Sequence, residues 1–181
     1  MSESTDSNGL EQWREQERLV RSKLASVGVA SAVDVVGKTG LELFQAMFRG
    51  ELPSPPIGQT LSFVSVEVEF GRAVFQGQPK FEHYNPIGTV HGGWIATLLD
   101  SAVGCAVHST LPAGKAYTTL ELKVNYVKAV SEKVSLVRAV GKVIHVGGRV
   151  ATAEGRLVGP DGTLYAHAVT TCLIFDAMPI K

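Results

Sequence analysis

Asp100 is the only charged residue between Gly92 and Val107, in a run (GGWIATLLDSAVGCAV) otherwise made of apolar and small residues. Aspartate is almost never fully buried unless something pairs it. Facing a cleft, it is a candidate base or nucleophile; facing solvent, or paired with a core arginine, it is structural. Eight residues before it stands Gly92, flanked by His91 and Gly93. A helix that begins there offers free backbone N–H groups and the positive end of its dipole. Glycine lets a ligand atom come close to that backbone, and such donors can stabilise the oxyanion formed when a carbonyl is attacked. The same glycines could equally serve close packing, with His91 as a helix cap. Asn85 carries an amide able to donate to a carbonyl and accept from a water, although Asn-Pro is also a common turn opener. Thr119 could hold a water through its hydroxyl, or be no more than a good strand former. Gly147-Gly148-Arg149 reads as a tight turn, or as a Gly-rich turn whose arginine holds phosphate.

Other chemistries find no support. The five histidines (His83, His91, His108, His145, His167) show no metal-ligand spacing, so no metal and no cofactor is expected. No nucleophile elbow, phosphate-binding loop or dinucleotide fingerprint occurs. Lys plus Arg equal Asp plus Glu at 17 each, a balance that argues against nucleic acid or an anionic membrane as partner. Cys105 and Cys172 lie in apolar runs and read as buried free thiols. The polar first nine residues lack a signal-peptide pattern, and a cytoplasmic protein is expected.

The elements that must position these residues follow from periodicity. Leu10, Trp13, Leu19, Val20 and Leu24 space out as an amphipathic helix ending near Gly28. Thr39 to Glu42 fits a capping box for a second helix to Phe48, with Gly50 as its stop. Pro53, Pro55 and Pro56 then mark a non-helical linker. Residues 1–50 read as a tail and helical extension without chemistry of their own, and residues 51–181 as the main domain. There the period falls to two: Val64, Val66, Val68 and Phe70 alternate with polar residues, as a half-buried strand requires. Further strands are expected over 73–78, 119–126, 134–146, 149–158 and 163–175. One helix from His91, apolar nearly all round, must be buried on most sides. The simplest answer is an α+β fold, an antiparallel sheet of about six strands wrapped around a central helix.

The run Asn85-Pro-Ile-Gly-Thr-Val-His91-Gly92-Gly93, with Asp100 eight residues after Gly92, resembles the phenylacetate-degradation type of hotdog-fold acyl-CoA thioesterase. The strand TLELKVNYVKAV and the closing GGRVATAEGRLVGPDGTLYAHAVTT match the same pattern. The resemblance covers roughly residues 57–176. It implies an acyl-CoA substrate, and a homodimer or homotetramer with its sites at the dimer interface. It implies that Asn85 places the carbonyl or the water, that the Gly92 N–H polarises the carbonyl, that Asp100 is base or nucleophile, and that Thr119 orients the water. It further implies that His91 and Gly93 border the substrate, with Tyr126 and the segment His145, Val146, Gly147, Gly148 and Arg149 along the CoA portion.

Geometry adds an independent constraint. Eight helical residues rise about 12 Å, whereas attack needs reacting atoms within about 3.5 Å. A carbonyl at the Gly92 N–H therefore cannot meet Asp100 of the same chain, and a site using both must draw on two subunits. Two rivals stay open at this level: a hotdog protein that binds acyl-CoA without turnover, and a hotdog hydratase or dehydratase acting on the acyl chain.

Overall fold

The computed structural model describes residues 3–177; the first two residues of the polar tail lie outside it. Its centre is helix α5, Gly92–His108, capped by His91, whose Nδ1 accepts from the Gly93 N–H at 2.8 Å. Trp94, Ile95, Leu98, Leu99, Val103 and Val107 of this helix are buried. Around it curls a six-stranded sheet: β1 Phe63–Glu69, β2 Arg72–Gly77, β3 Lys115–Tyr126, β4 Val137–Val146, β5 Val150–Val158 and β6 Leu164–Asp176. The spatial order is β1-β2-β4-β5-β6-β3 and every pairing is antiparallel. This is the α+β arrangement expected from the sequence. The helix sits close because the strands beneath it carry small residues. A Cβ on Gly141 would stand 2.3 Å from the Ala102 carbonyl oxygen, and one on Gly155 would stand 2.8 Å from Val103 Cγ1.

The N-terminal segment is built onto this core by two anchors. Helix α1, Glu3–Arg21, lies over the outer face of β1 and β2, where Val20 and the following Leu24 pack on Val64, Val66 and Val74. Arg138 stacks over the Trp13 ring at 4.3 Å and donates to Gln76 Oε1 and Gln16 Oε1, each at 2.8 Å. The expected half-buried character of β1 is corrected here: Phe63 to Val66 are buried on both faces because α1 covers the second one. The helix itself stops at Arg21 rather than near Gly28. After a single turn, α2 (Ala32–Val35), comes the second anchor, α3 (Gly40–Phe48), whose Thr39 forms the expected capping box with Glu42. The Gly40 N–H donates to the Leu111 carbonyl at 3.0 Å, and a Cβ there would fall 1.8 Å from the His108 carbonyl oxygen. Phe44 meets the His108 ring edge-on at 5.5 Å. The proline linker needs a correction too. Pro56 opens a short helix, α4 (Pro56–Thr60), because a proline at the first helical position gives up no needed N–H.

Bulges interrupt the strict period-two reading. Ser65 and Glu67 face consecutive residues of β2, so Val66 is the extra residue there; Leu120 and Ile144 play the same part in β3 and β4. No described helix is long and apolar enough to cross a membrane.

Candidate active site

The bulge at Leu120 decides what Thr119 can do. In a regular strand the apolar set Leu120, Leu122, Val124 and Tyr126 would share the inner face, with Thr119 turned away. One extra residue between Thr119 and Glu121 shifts the pairing from Cys172 to Thr171. Leu120 is left 57% exposed, and Thr119 turns inward with Tyr117 toward the helix. Bulges beside functional sites re-aim a side chain in this way. Thr119 Oγ1 consequently donates to Asp100 Oδ1 at 2.9 Å. Asp100 is half-buried and stands in the wall of a cavity of about 530 Å³. Beside it on α5, Ser101 Oγ donates to the Thr97 carbonyl at 2.8 Å. Burial pushes the neighbouring Cys105 thiol up to about 12 and raises Cys172 as well. Both cysteines are therefore neutral packing groups, as their surroundings implied.

The other half of the expected set lies at the far end of the helix. Asn85, Gly92 and Tyr126 line a second hollow, and no residue is shared with the cavity at Asp100. The Gly92 N–H occupies the first helical position, where no intrahelical acceptor exists. The Gly93 N–H is taken up by His91 Nδ1, so the cap reading of His91 is realised in the geometry. Asn85 Oδ1 accepts from the Ile87 and Thr89 N–H groups, and its amide donates to Thr89 Oγ1 at 2.9 Å. That pattern holds the turn before α5 and leaves one amide hydrogen uncommitted.

The hairpin expected along CoA is exposed at the end of β4. The Gly147 N–H donates to the Val150 carbonyl at 2.8 Å, and the Arg149 carbonyl accepts from the Ile174 N–H at 2.8 Å. His145, Val146 and the Arg149 side chain point into solvent. Val146 pairs with Ala151, Ala151 with Cys172 and Cys172 with Thr119. The hairpin thus shares the Thr119 end of the sheet, roughly 14 Å away across three strand spacings. Tyr126 is at the opposite end, paired with Ala166. One chain therefore brings together Asp100 with Thr119, and separately Asn85 with Gly92 and Tyr126, but not the two groups. Strand β3 is an edge strand, open along its outer side for twelve residues.

Sequence reasoning missed the residues of the cavity that come from outside the main domain's sheet and central helix, among them Leu24, Val27, Phe44, Met47 and Ile57. Apolar spacing on α3 signalled a buried face, yet nothing in it pointed to Asp100. Among the described residues, no group of three or more His, Cys, Asp or Glu could hold a metal ion.

A long buried helix wrapped by a six-stranded antiparallel sheet is the hotdog architecture. Residues 87–166 match the model of the thioesterase superfamily. A candidate esterase of Halobacterium salinarum is 37% identical over 115 residues, covering 59% of this chain and 74% of that protein. A 1,4-dihydroxy-2-naphthoyl-CoA hydrolase of Listeria monocytogenes is 28% identical, over 64% of this chain and 91% of its own length. Among solved structures, a phenylacetic acid degradation-related protein of Ralstonia eutropha superposes with a TM-score of 0.66 at 30% identity, covering 72% of this chain and 98% of that one. A variant of the phenylacetic acid degradation protein PaaI of Thermus thermophilus gives 0.58 at 25% identity, over 65% and 97%. The chain belongs to the thioesterase superfamily. It is a thioester hydrolase.

Proposed function

We propose that this enzyme is a cytoplasmic acyl-CoA thioesterase, converting an acyl-CoA and water into a carboxylate and free CoA, with Asp100 as general base or nucleophile. The observation that carries the reading is the Thr119–Asp100 hydrogen bond at 2.9 Å in the wall of a cavity. The bond fixes one carboxylate oxygen and leaves the other to accept a proton from water or to attack. In the general-base form, water oxygen bonds to the carbonyl carbon as Asp100 takes its proton. The C–S bond then breaks, and the departing CoA sulfur receives the proton.

The Gly92 N–H is the oxyanion donor, supplied by a second copy, with the uncommitted Asn85 amide hydrogen beside it. Tyr126 and the segment from His145 to Arg149 lie along CoA, where Arg149 meets phosphate. The separation of the two residue groups within one chain and the open edge of β3 support a homodimer, or a homotetramer of such dimers, with sites between copies. In this reading residues 51–181 form the thioesterase domain and residues 1–50 its extension. The CoA hydrolase named among the relatives supports the choice of substrate.

The test is release of free thiol from a panel of acyl-CoAs by the purified chain and by Asp100→Asn. The isosteric amide cannot accept a proton, so kcat should fall at least about 10²-fold. Turnover near the unmodified level by the folded variant would remove Asp100 from the mechanism.

A further inference from the structure

The cavity at Asp100 is only partly made by the sheet and its central helix. Helix α5 gives Thr97, Asp100, Ser101 and Cys105, and the sheet gives Phe63, Phe75 and Tyr117. The facing wall is Leu24 and Val27 after α1, Phe44 and Met47 of α3, and Ile57 of α4. These residues are held in place. Gly40 fixes α3 on the end of α5, as described, and the Arg138 cluster fixes α1 on the sheet, where Gln76 Nε2 also donates to Glu17 Oε2 at 2.6 Å.

The chemistry of the wall selects its occupant. Among the described residues, Arg21 and Asp100 are its only charged members, and Arg21 Nε is already engaged by Glu17 Oε1 at 2.6 Å. Among the described residues, no lysine or second arginine lines it to meet the phosphates of CoA. The Cys105 thiol is neutral. A cavity of about 530 Å³ lies within the range that takes a drug-sized ligand and far exceeds what an acetyl group fills.

We propose that the N-terminal extension and the short helix that follows it complete the acyl-binding pocket, so that Phe44, Met47 and Ile57 make this enzyme selective for long, uncharged acyl groups. The inference rests on the acyl-CoA reading above and assigns the extension the part of substrate selection. An acyl chain whose thioester carbon meets Asp100 runs away from α5 between Phe63 and Phe44, burying apolar surface along its length. An acyl group ending in a carboxylate would be desolvated there beside the Asp100 carboxylate, and the one cation in the described wall, Arg21, is already paired with Glu17.

The experiment uses the full chain and two variants that alter the wall in opposite senses. Ile57→Trp narrows the cavity at a position 48% exposed, where a larger side chain does not threaten the fold; Phe44→Ala widens it. For each, kcat/KM is measured with butyryl-CoA and dodecanoyl-CoA, melting curves confirm folding, and calorimetry follows binding of S-dodecyl-CoA, a thioether that cannot be hydrolysed. Ile57→Trp should lower the dodecanoyl-to-butyryl ratio by about tenfold, the size of effect one misplaced methylene can have in an apolar pocket; Phe44→Ala should raise it. Folded variants that hydrolyse both esters with the unmodified ratio would overturn the pocket and leave the hydrolase reading standing. Binding of the thioether that is weakened by Ile57→Trp, without thiol release from any ester, would uphold the pocket and overturn acyl-CoA hydrolysis. A parent chain that neither binds the thioether nor hydrolyses the esters would overturn both.

Discussion

The Tyr126 hydroxyl donates to the Gly92 carbonyl oxygen at 2.9 Å, from a ring that stands 3.0 Å from where a Gly92 Cβ would be. Seven residues earlier on the same strand, Thr119 holds Asp100. Strand β3 therefore grips α5 at both of the positions proposed for catalysis. The spacing between the oxyanion donor and the carboxylate is thereby set by two side-chain contacts as well as by the helix.

That separation makes a subunit-mixing experiment decisive. Gly92→Val should block approach to the backbone N–H and crowd Tyr126; Asp100→Asn removes the proton acceptor. Each homodimer is expected to be nearly inactive. A mixed dimer carries both lesions in one site and neither in the other. Random pairing makes about half the dimers mixed, so co-expression should restore about a quarter of the parent specific activity. Tagged mixed dimers of folded chains that stay inactive would exclude a site shared between subunits.

Thr119 is expected to act through its hydroxyl alone. Thr119→Val keeps the shape and loses the donor to Asp100. A hydrogen bond to a charged group contributes about 1.5–3 kcal/mol, so kcat should drop by roughly ten- to a hundredfold, with Thr119→Ser close to the parent. Equal activity of the valine and serine variants would leave Thr119 a packing residue.

Stability should fall on mild acidification. Burial holds the His108 imidazole below its ordinary value of 6.5, and His83, also buried and stacked on Trp94 at 5.0 Å, is lowered for the same reason. The unfolded chain then binds protons that the folded chain refuses. The stabilisation is fully present above about pH 6.5 and is lost as pH falls toward the depressed folded values. Comparing melting temperatures at pH 8 and pH 5.5, His108→Gln should show a smaller acid loss than the parent. Identical losses would show that His108 is not a source of the pH dependence.

Ser65 offers a stabilising change. Its hydroxyl is a buried side-chain atom with no hydrogen-bond partner among the described residues. Leaving such a group unpaired costs about 1–3 kcal/mol, so Ser65→Ala should raise stability by about 1 kcal/mol, a gain of roughly 2–4 °C in Tm for a chain of this size. A lower Tm would mean the hydroxyl does pair in solution.

Much of this architecture is legible in the residues themselves. The Thr39 capping box, the His91 start of α5 and the six strands each follow from local chemistry and period. What escapes is set by tertiary contact. Nothing in the alternation of Leu120, Leu122 and Val124 betrays the bulge that turns Thr119 inward, since a bulge changes pairing with a distant strand and leaves composition untouched. The double burial of β1 depends on α1 lying over it. Likewise, the approach of Phe44 and Met47 to Asp100 spans more than fifty residues of sequence, and no spacing rule reaches that far.

The strand order carries a last consequence for how the enzyme is made. Thr119 occupies β3, and among the described strands β3 is hydrogen-bonded only to β6, residues Leu164–Asp176. As the chain leaves the ribosome, α5 and β3 emerge first, yet the ladder that holds Thr119 against Asp100 cannot close until β6 has been synthesised. Such long-range pairing is intrinsically slow to form. The Thr119–Asp100 contact thus depends on a strand made well after both residues.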